Sequence, residues 1–400
     1  MRPPHLLFNE FVLQLDITNK LINLSGIYSS PWVLWVGPKL IVVCDDPENI
    51  EILSKSSNRY EKSSLYDFLK DFLGNGLISA PASIWKIHRD ILDPLFKERM
   101  LSTYMDSIEK NSNRLANILE TTNGEKVDFL HYAHLCTLDI IYGGLLESDL
   151  NLQSNPDCKL IKYIILDIAL QRMMKFWLHP SIIFNNSSMG KWLQENLSHF
   201  NKVTNEIIKK KKESMNEDNF TREGKGPHAR KDTSPILDAI FKSFYETGEY
   251  SETDIRDEIN TMAFAGSDTA AKTLTFLFSM LATFPDIQEK VYEELYDMYG
   301  SSDSVDVPVT MEDTKKMNYL DRVIRETLRL FPPVPIFART LCSDIRGQIF
   351  AMIEMKAIIA VILRKFIVQI DKPVPVENVN LKIGITAQLG EPIFLRFNKR

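Results

Sequence analysis

The chain has 400 residues, 44% hydrophobic and 25% charged, which supplies a sizeable core and excludes disorder as a global state. A formal net charge of -6 excludes nucleic acid as the main partner, since no domain-scale basic excess exists to displace counterions from phosphate. Cys44, Cys136, Cys158 and Cys342 show no CxxC spacing and read as reduced, cytosol-facing thiols. No HExxH is present, and His131 and His134 read as surface or core polar residues rather than zinc ligands.

From Met1 to Tyr28 the apolar residues are interrupted by Glu10, Asp16 and Lys20, so neither a signal-peptide core nor an apolar span of about 18 residues is expected there. Trp32 to Val36 and Leu40 to Cys44, joined by Gly37-Pro38-Lys39, predict a β-hairpin. Asp46-Pro47-Glu48 predicts a helix start, with a capping acid, proline at the first position and an acid in the first turn. Helical periodicity then dominates from about Ser64 to Phe200, with breaks at Gly74-Asn75-Gly76, Thr122-Asn123-Gly124 and Asn155-Pro156.

Within that region, Phe176 to Phe184 is an aromatic and aliphatic run that fits either a membrane interface or plain core. Lys209 to Asp232 is polar and charged, and reads as a mobile surface loop whose lysines are solvated. Ser234-Pro235 restarts helix, with Ile236, Leu237, Ile240 and Phe241 as the apolar stripe. A long helix is predicted from about Glu252 to Thr283, ended by Pro285, with Asp286 capping the next. Another runs from Met317 to Leu330 into Phe331-Pro332-Pro333-Val334-Pro335. Gly347 to Phe366 is apolar nearly all round and belongs inside a core, and Val379 to Phe397 alternates like a small sheet. The fold class is therefore mainly α, with minor β regions near both chain ends.

The long helix carries the most informative residues. Gly266 costs about 1 kcal/mol against alanine in a helix interior, and Thr269 can bond back to the carbonyl of Ala265, so a groove is expected there beside Asp268. Glu326 and Arg329 share a face of a later helix among Ile324, Leu328 and Leu330. Trp85 and Arg89 stand at i, i+4, a spacing that lets an indole N–H and a guanidinium hold one anion. Read in isolation, they fit a core tryptophan beside a surface arginine.

Taken in order, Leu34 to Lys39, Trp85 to Arg89, Ala265-Gly266-Ser267-Asp268-Thr269, Glu326-Thr327-Leu328-Arg329 and Gly347 to Met352 resemble the cytochrome P450 family of haem-thiolate monooxygenases, within it the animal family-4 group. The resemblance implies a single P450-type helical domain over 1–400: an N-terminal β/α lobe at 1–60, a helical body at 61–345, and a proximal helix with a C-terminal β segment at 346–400. It implies haem as cofactor, with Ala265 and Gly266 bordering its distal face and Trp85, Arg89 and Arg339 binding its propionates. Asp268 and Thr269 would relay protons to bound dioxygen, and Glu326 and Arg329 would be structural. It further implies hydroxylation of a lipophilic molecule, a fatty acid or foreign compound, with electrons from a flavoprotein reductase at the cytosolic face of the endoplasmic reticulum. Without an anchor, peripheral membrane contact or a cytoplasmic location is expected.

The chain departs from that pattern in several places. In the family a cysteine thiolate stands two residues before the glycine that is Gly347 here, and that place is held by Ile345, which cannot ligate iron. Cys342 lies three positions earlier on a strand-like run and reads as a buried thiol, so no metal ligand is assigned. Further strands, a meander and the ligand loop are missing, which places an internal deletion between Ile345 and Arg346. Without the meander's arginine, Glu326 and Arg329 are expected to form a half-satisfied buried pair. Ala265 replaces the glutamate that links some family-4 members to haem. The alternatives are a non-catalytic lipid-binding or interaction protein, and an incomplete gene product.

Overall fold

In the computed structural model, residues 23–36, 39–55, 62–155, 164–221, 235–248, 251–300, 307–339, 348–376, 379, 381–383 and 387–399 are described. The expected hairpin forms from β1 (Trp32–Val36) and β2 (Lys39–Val43), antiparallel, with Trp35 opposite Leu40. Trp32 is buried, whereas Val33, Trp35, Leu40 and Val42 on the other face remain exposed. Helix α1 (Pro47–Lys55) starts as the local chemistry dictates: the Asp46 carboxylate accepts from the Asn49 N–H at 2.7 Å.

The helical body contains α2 (Ala82–Leu92), α3 (Met105–Thr121), the short strand β3 (Val127–Asp128), α4 (Phe129–Ile140), which continues into a π-helical turn at Ile141–Leu145, and α5 (Ile164–Met174). The run after α5 divides: Phe176, Trp177, Ile182 and Ile183 are exposed, while Leu178 and Phe184 are buried.

Helix α6 (Ser188–Thr221) passes straight through Lys209 to Lys212, so the expected loop does not begin there, and residues 222–234 lie outside the described residues. Lys211 is buried rather than solvated. Its aliphatic stem packs inward while the ammonium reaches Glu147 at 3.0 Å and Asp238 at 2.7 Å, the latter on α7 (Pro235–Lys242). Ile236, Leu237, Ile240 and Phe241 of α7 are all buried, as the stripe predicts.

Helix α8 (Glu252–Thr283) opens with a reciprocal capping box between Ser251 and Asp254 and runs through the centre of the molecule, packed against α4 and α6. The Gly74-Asn75-Gly76 break docks on it. Gly74 has φ +51°, a Cβ there would lie 2.0 Å from the Asp257 carboxylate, and that carboxylate accepts from the Asn75 N–H at 2.7 Å. Helix α9 (Pro285–Tyr299) has Phe284 at the cap position with Pro285 first, so Asp286 sits in the first turn instead of capping.

Helix α10 (Asn318–Leu330) also contacts α8. Helix α11 (Gln348–Lys365) packs on α3 and α8, and its residues Met352 to Leu363 are buried except Lys356, as its all-round apolar character requires. The chain ends in β4 (Phe366–Gln369), β5 (Leu381–Ile383), β6 (Ala387–Leu389) and β7 (Phe394–Lys399). Strand β7 lies between β3 and β4, antiparallel to both, so the terminal sheet borrows a strand from mid-chain that the two-ends expectation omits. Two residues are too short a run for period-2 patterning to reveal.

Candidate functional site

From Asp257 to Leu281 every residue of α8 is buried except Ala265, Gly266 and Thr269. These positions, i, i+1 and i+4, share one side of the helix, so the burial is interrupted on a single face. The Thr269 hydroxyl donates to the Ala265 carbonyl at 2.7 Å, the back-bond its position predicts. Gly266 does not leave open space on its whole surface. A Cβ there would lie 2.6 Å from Cδ1 of Ile141, so the π-helical turn fills part of the expected groove.

Asp268 and Thr269 are adjacent in sequence but differently engaged. The Asp268 carboxylate accepts from the Lys272 ammonium at 2.7 Å, with both side chains almost wholly buried. His134 of α4 is buried beside them, and burial holds its imidazole down at about 4, against the pull of Asp268 and with the push of Lys272 and His131. Thr137, one turn further along α4, donates to the Ser267 carbonyl at 3.1 Å and fixes the two helices in register.

Helix α2 places Trp85 and Arg89 half-buried, with Arg89 ion-paired to Asp93. Between them His88 is buried, and its Nδ1 lies 2.8 Å from Glu258 Oε1 on α8. Burial raises the Glu258 carboxyl, opposed by His88 and by the Leu77 N–H. Sequence reading assigned neither residue a role, because their partnership joins positions 170 apart in the chain. Arg339 pairs by its backbone with Lys62, and its guanidinium donates to the Tyr66 hydroxyl at 3.2 Å and to the Ala338 carbonyl at 3.0 Å.

The expected buried Glu326–Arg329 pair is corrected. The two do form a bidentate pair, Nε to Oε2 and Nη2 to Oε1 at 2.7 Å each, but their side chains are 56% and 67% exposed. The apolar face of α10 is carried by Leu320, Ile324 and Thr327, and the pair points away from it into solvent. Water therefore solvates the remaining lone pairs and N–H groups, and the penalty for a half-satisfied buried pair does not arise.

Set against a haem, the described residues offer a break in the burial of α8 at Ala265, Gly266 and Thr269, and the described thiols are Cys44 and Cys136. Cys44 follows β2, its thiol raised by burial and by Asp46 and Asp45. Cys136 is buried in α4 and directed at the Asn111 carbonyl, 3.5 Å away, with burial raising it well above the usual thiol range. Cys342, Ile345 and Arg346 lie outside the described residues. These residues do not complete a haem-thiolate centre, and no reaction step through haem follows from them.

A family model described as Cytochrome P450 matches residues 2–346. The mouse (Mus musculus) protein named Cytochrome P450 4V2 is 36% identical over 317 residues, which cover 78% of this chain and 60% of that protein. The human (Homo sapiens) protein of the same name is 34% identical over the same shares. Cytochrome P450 4c21 of Blattella germanica is 31% identical over 319 residues, 78% of this chain and 63% of its own length. The chain thus spans about 60% of the length of the first of these relatives.

Proposed function

The chain belongs to the cytochrome P450 family, and from that premise we propose that it descends from a haem-dependent monooxygenase of lipophilic molecules, a fatty acid or foreign compound, and that as written it forms no thiolate-ligated haem. The observation that carries the descent is the face of α8 where burial is interrupted at Ala265, Gly266 and Thr269, with Thr269 back-bonded beneath it. With haem bound, Ala265 and Gly266 would border its distal face, and Asp268 and Thr269 would hold and pass protons there. Trp85, Arg89 and Arg339 meet the propionates, Arg89 by exchanging its Asp93 partner and Arg339 from its seat on Tyr66. Glu326 and Arg329 act structurally, from the surface of α10. Haem, when bound, supplies the oxygen-activating iron.

The loss rests on Ile345, an aliphatic side chain where the family places its cysteine, and on an internal deletion between Ile345 and Arg346. The family match ending at residue 346 supports that boundary. Electrons would come from a flavoprotein reductase. Among the described residues no helix is long and apolar enough to cross a membrane. The exposed Phe176, Trp177, Ile182 and Ile183 support peripheral contact with the cytosolic face of the endoplasmic reticulum. Titrating the purified chain with haem, followed by tryptophan quenching and the Soret band, tests the reading. Stoichiometric binding lost on Thr269→Trp but kept in Thr269→Ser supports the distal face, and binding insensitive to both contradicts it.

A further inference from the structure

The turn between α5 and α6 is built around a cation. Arg172, on the last turn of α5, is buried, and its guanidinium points into the chain just ahead of it. Nε donates to the Leu178 carbonyl at 3.1 Å, and Nη2 donates to the His179 carbonyl at 3.2 Å and to the Ser181 hydroxyl at 3.3 Å. Nη1 donates to the Asp71 carboxylate, which ties the turn to the short helix Lys70–Leu73. The guanidinium lies over the Phe184 ring at 4.1 Å and near that of Phe68 at 5.7 Å. At its far end the turn is pressed on the start of α6, where a Cβ at Gly190 would lie 2.0 Å from the Phe184 carbonyl.

A charged group with directed partners therefore occupies the place where a surface turn ordinarily keeps its apolar side chains. Leu178 and Phe184 are buried with it, and Phe176, Trp177, Ile182 and Ile183 are left outside, Ile182 at 81% and Phe176 at 62% exposure. We propose that Arg172 is a positioning residue that holds residues 175–187 inside out, so that these four side chains form a ready-made apolar surface for a lipid layer. This rests on the reading of that surface as the peripheral membrane contact. Ile182 and Phe176 stand clear of the protein, and the half-exposed Trp177 indole suits a boundary between apolar and wet surroundings, which favours a lipid layer as the occupant. A turn ordered beforehand by Arg172 carries no ordering cost at the moment of contact.

Hydrogen exchange followed by mass spectrometry on the full chain, without lipid, tests the positioning. Arg172→Met keeps the length and removes the donors, and Arg172→Lys keeps the charge and removes the planar fork. Both are expected to speed exchange across 176–187 by at least about tenfold while α8 exchanges as in the wild type. Ser181→Ala, at an exposed position, is expected to speed it roughly fivefold through the loss of one hydrogen bond to a charged group. Wild-type exchange of the turn in Arg172→Met, or in Ser181→Ala where Arg172→Met does not fold, overturns the proposal, because apolar packing then holds the turn. Cosedimentation with phosphatidylcholine vesicles supplies the second readout, in which Arg172→Lys is expected to bind at least about fivefold more weakly than the wild type. Equal binding by a variant whose turn exchanges faster also overturns the proposal. A wild-type chain that ignores the vesicles, or self-associates through Ile182 instead, contradicts the membrane contact and leaves the hold of Arg172 on the turn standing.

Discussion

His88 and Glu258 tie α2 to α8 through a contact of 2.8 Å at which the two side chains are 2% and 0% exposed. The helix that carries Trp85 and Arg89 is thereby fixed to the helix that carries Ala265 and Thr269, and the relative placement of the two halves of the candidate site depends on it. His88→Ala leaves the Glu258 carboxyl buried without its imidazole and is expected to destabilise the chain by roughly 3 kcal/mol. Because burial already raises Glu258, its contribution is fully present below about pH 4.5 and declines as pH rises through the raised value. His88→Ala is expected to steepen that decline, and chemical denaturation at several pH values measures it.

A second buried acid has no such partner among the described residues. Both carboxyl oxygens of Glu354 on α11 lack a hydrogen-bond partner there at 0% exposure, and burial pushes the group well above the usual carboxylate range. Protonated in the fold and ionised in the unfolded chain, it favours folding less and less as pH climbs above about 4.5, at up to about 1.4 kcal/mol per unit. Glu354→Met fills the same space without polar atoms. It is expected to raise stability by at least about 1 kcal/mol near pH 8, with the gain shrinking towards pH 5. A gain that does not change with pH contradicts the assignment.

The close fit of Gly266 against Ile141 yields a paired prediction. Gly266→Ala gains about 1 kcal/mol of helix propensity but must displace the end of the Ile141 side chain, at an overpacking cost of about the same size. The single variant is expected to be near neutral. In an Ile141→Val background, which removes the colliding Cδ1, Gly266→Ala is expected to stabilise by about 1 kcal/mol. Equilibrium unfolding of the four proteins decides this.

Exposure of the Glu326–Arg329 pair predicts that Arg329→Ala leaves the melting midpoint of this chain unchanged within error, and that added salt does not separate the two proteins. A large loss would place the pair in a buried network instead.

Much of the fold is local chemistry and was legible in the sequence. The Asp46 cap, the bounds of α8 and α10, the stripe of α7 and the Thr269 back-bond all depend on residues within one or two turns of each other. The β1–β2 hairpin and the all-round burial of α11 follow the same logic of period and turn. What stayed hidden was set by tertiary partners. Lys211 looked like one of four solvated lysines until Glu147 and Asp238 met it, and β3 is a strand only because β7 lies beside it. His88 waits on Glu258, and the solvent-facing setting of Glu326 and Arg329 depends on which side of α10 packs. The Asp268–Lys272 pair is the exception. Its i, i+4 spacing was visible, and its burial was the missing part.

The proposed function keeps the distal half of a haem site in a chain without the thiolate half. Its most direct test is the carbon-monoxide difference spectrum of the purified chain after reconstitution with haem and reduction. No thiolate-type Soret band is expected from the chain as written. A thiolate-type band, abolished by Cys342→Ser, would contradict it and make Cys342 the axial ligand.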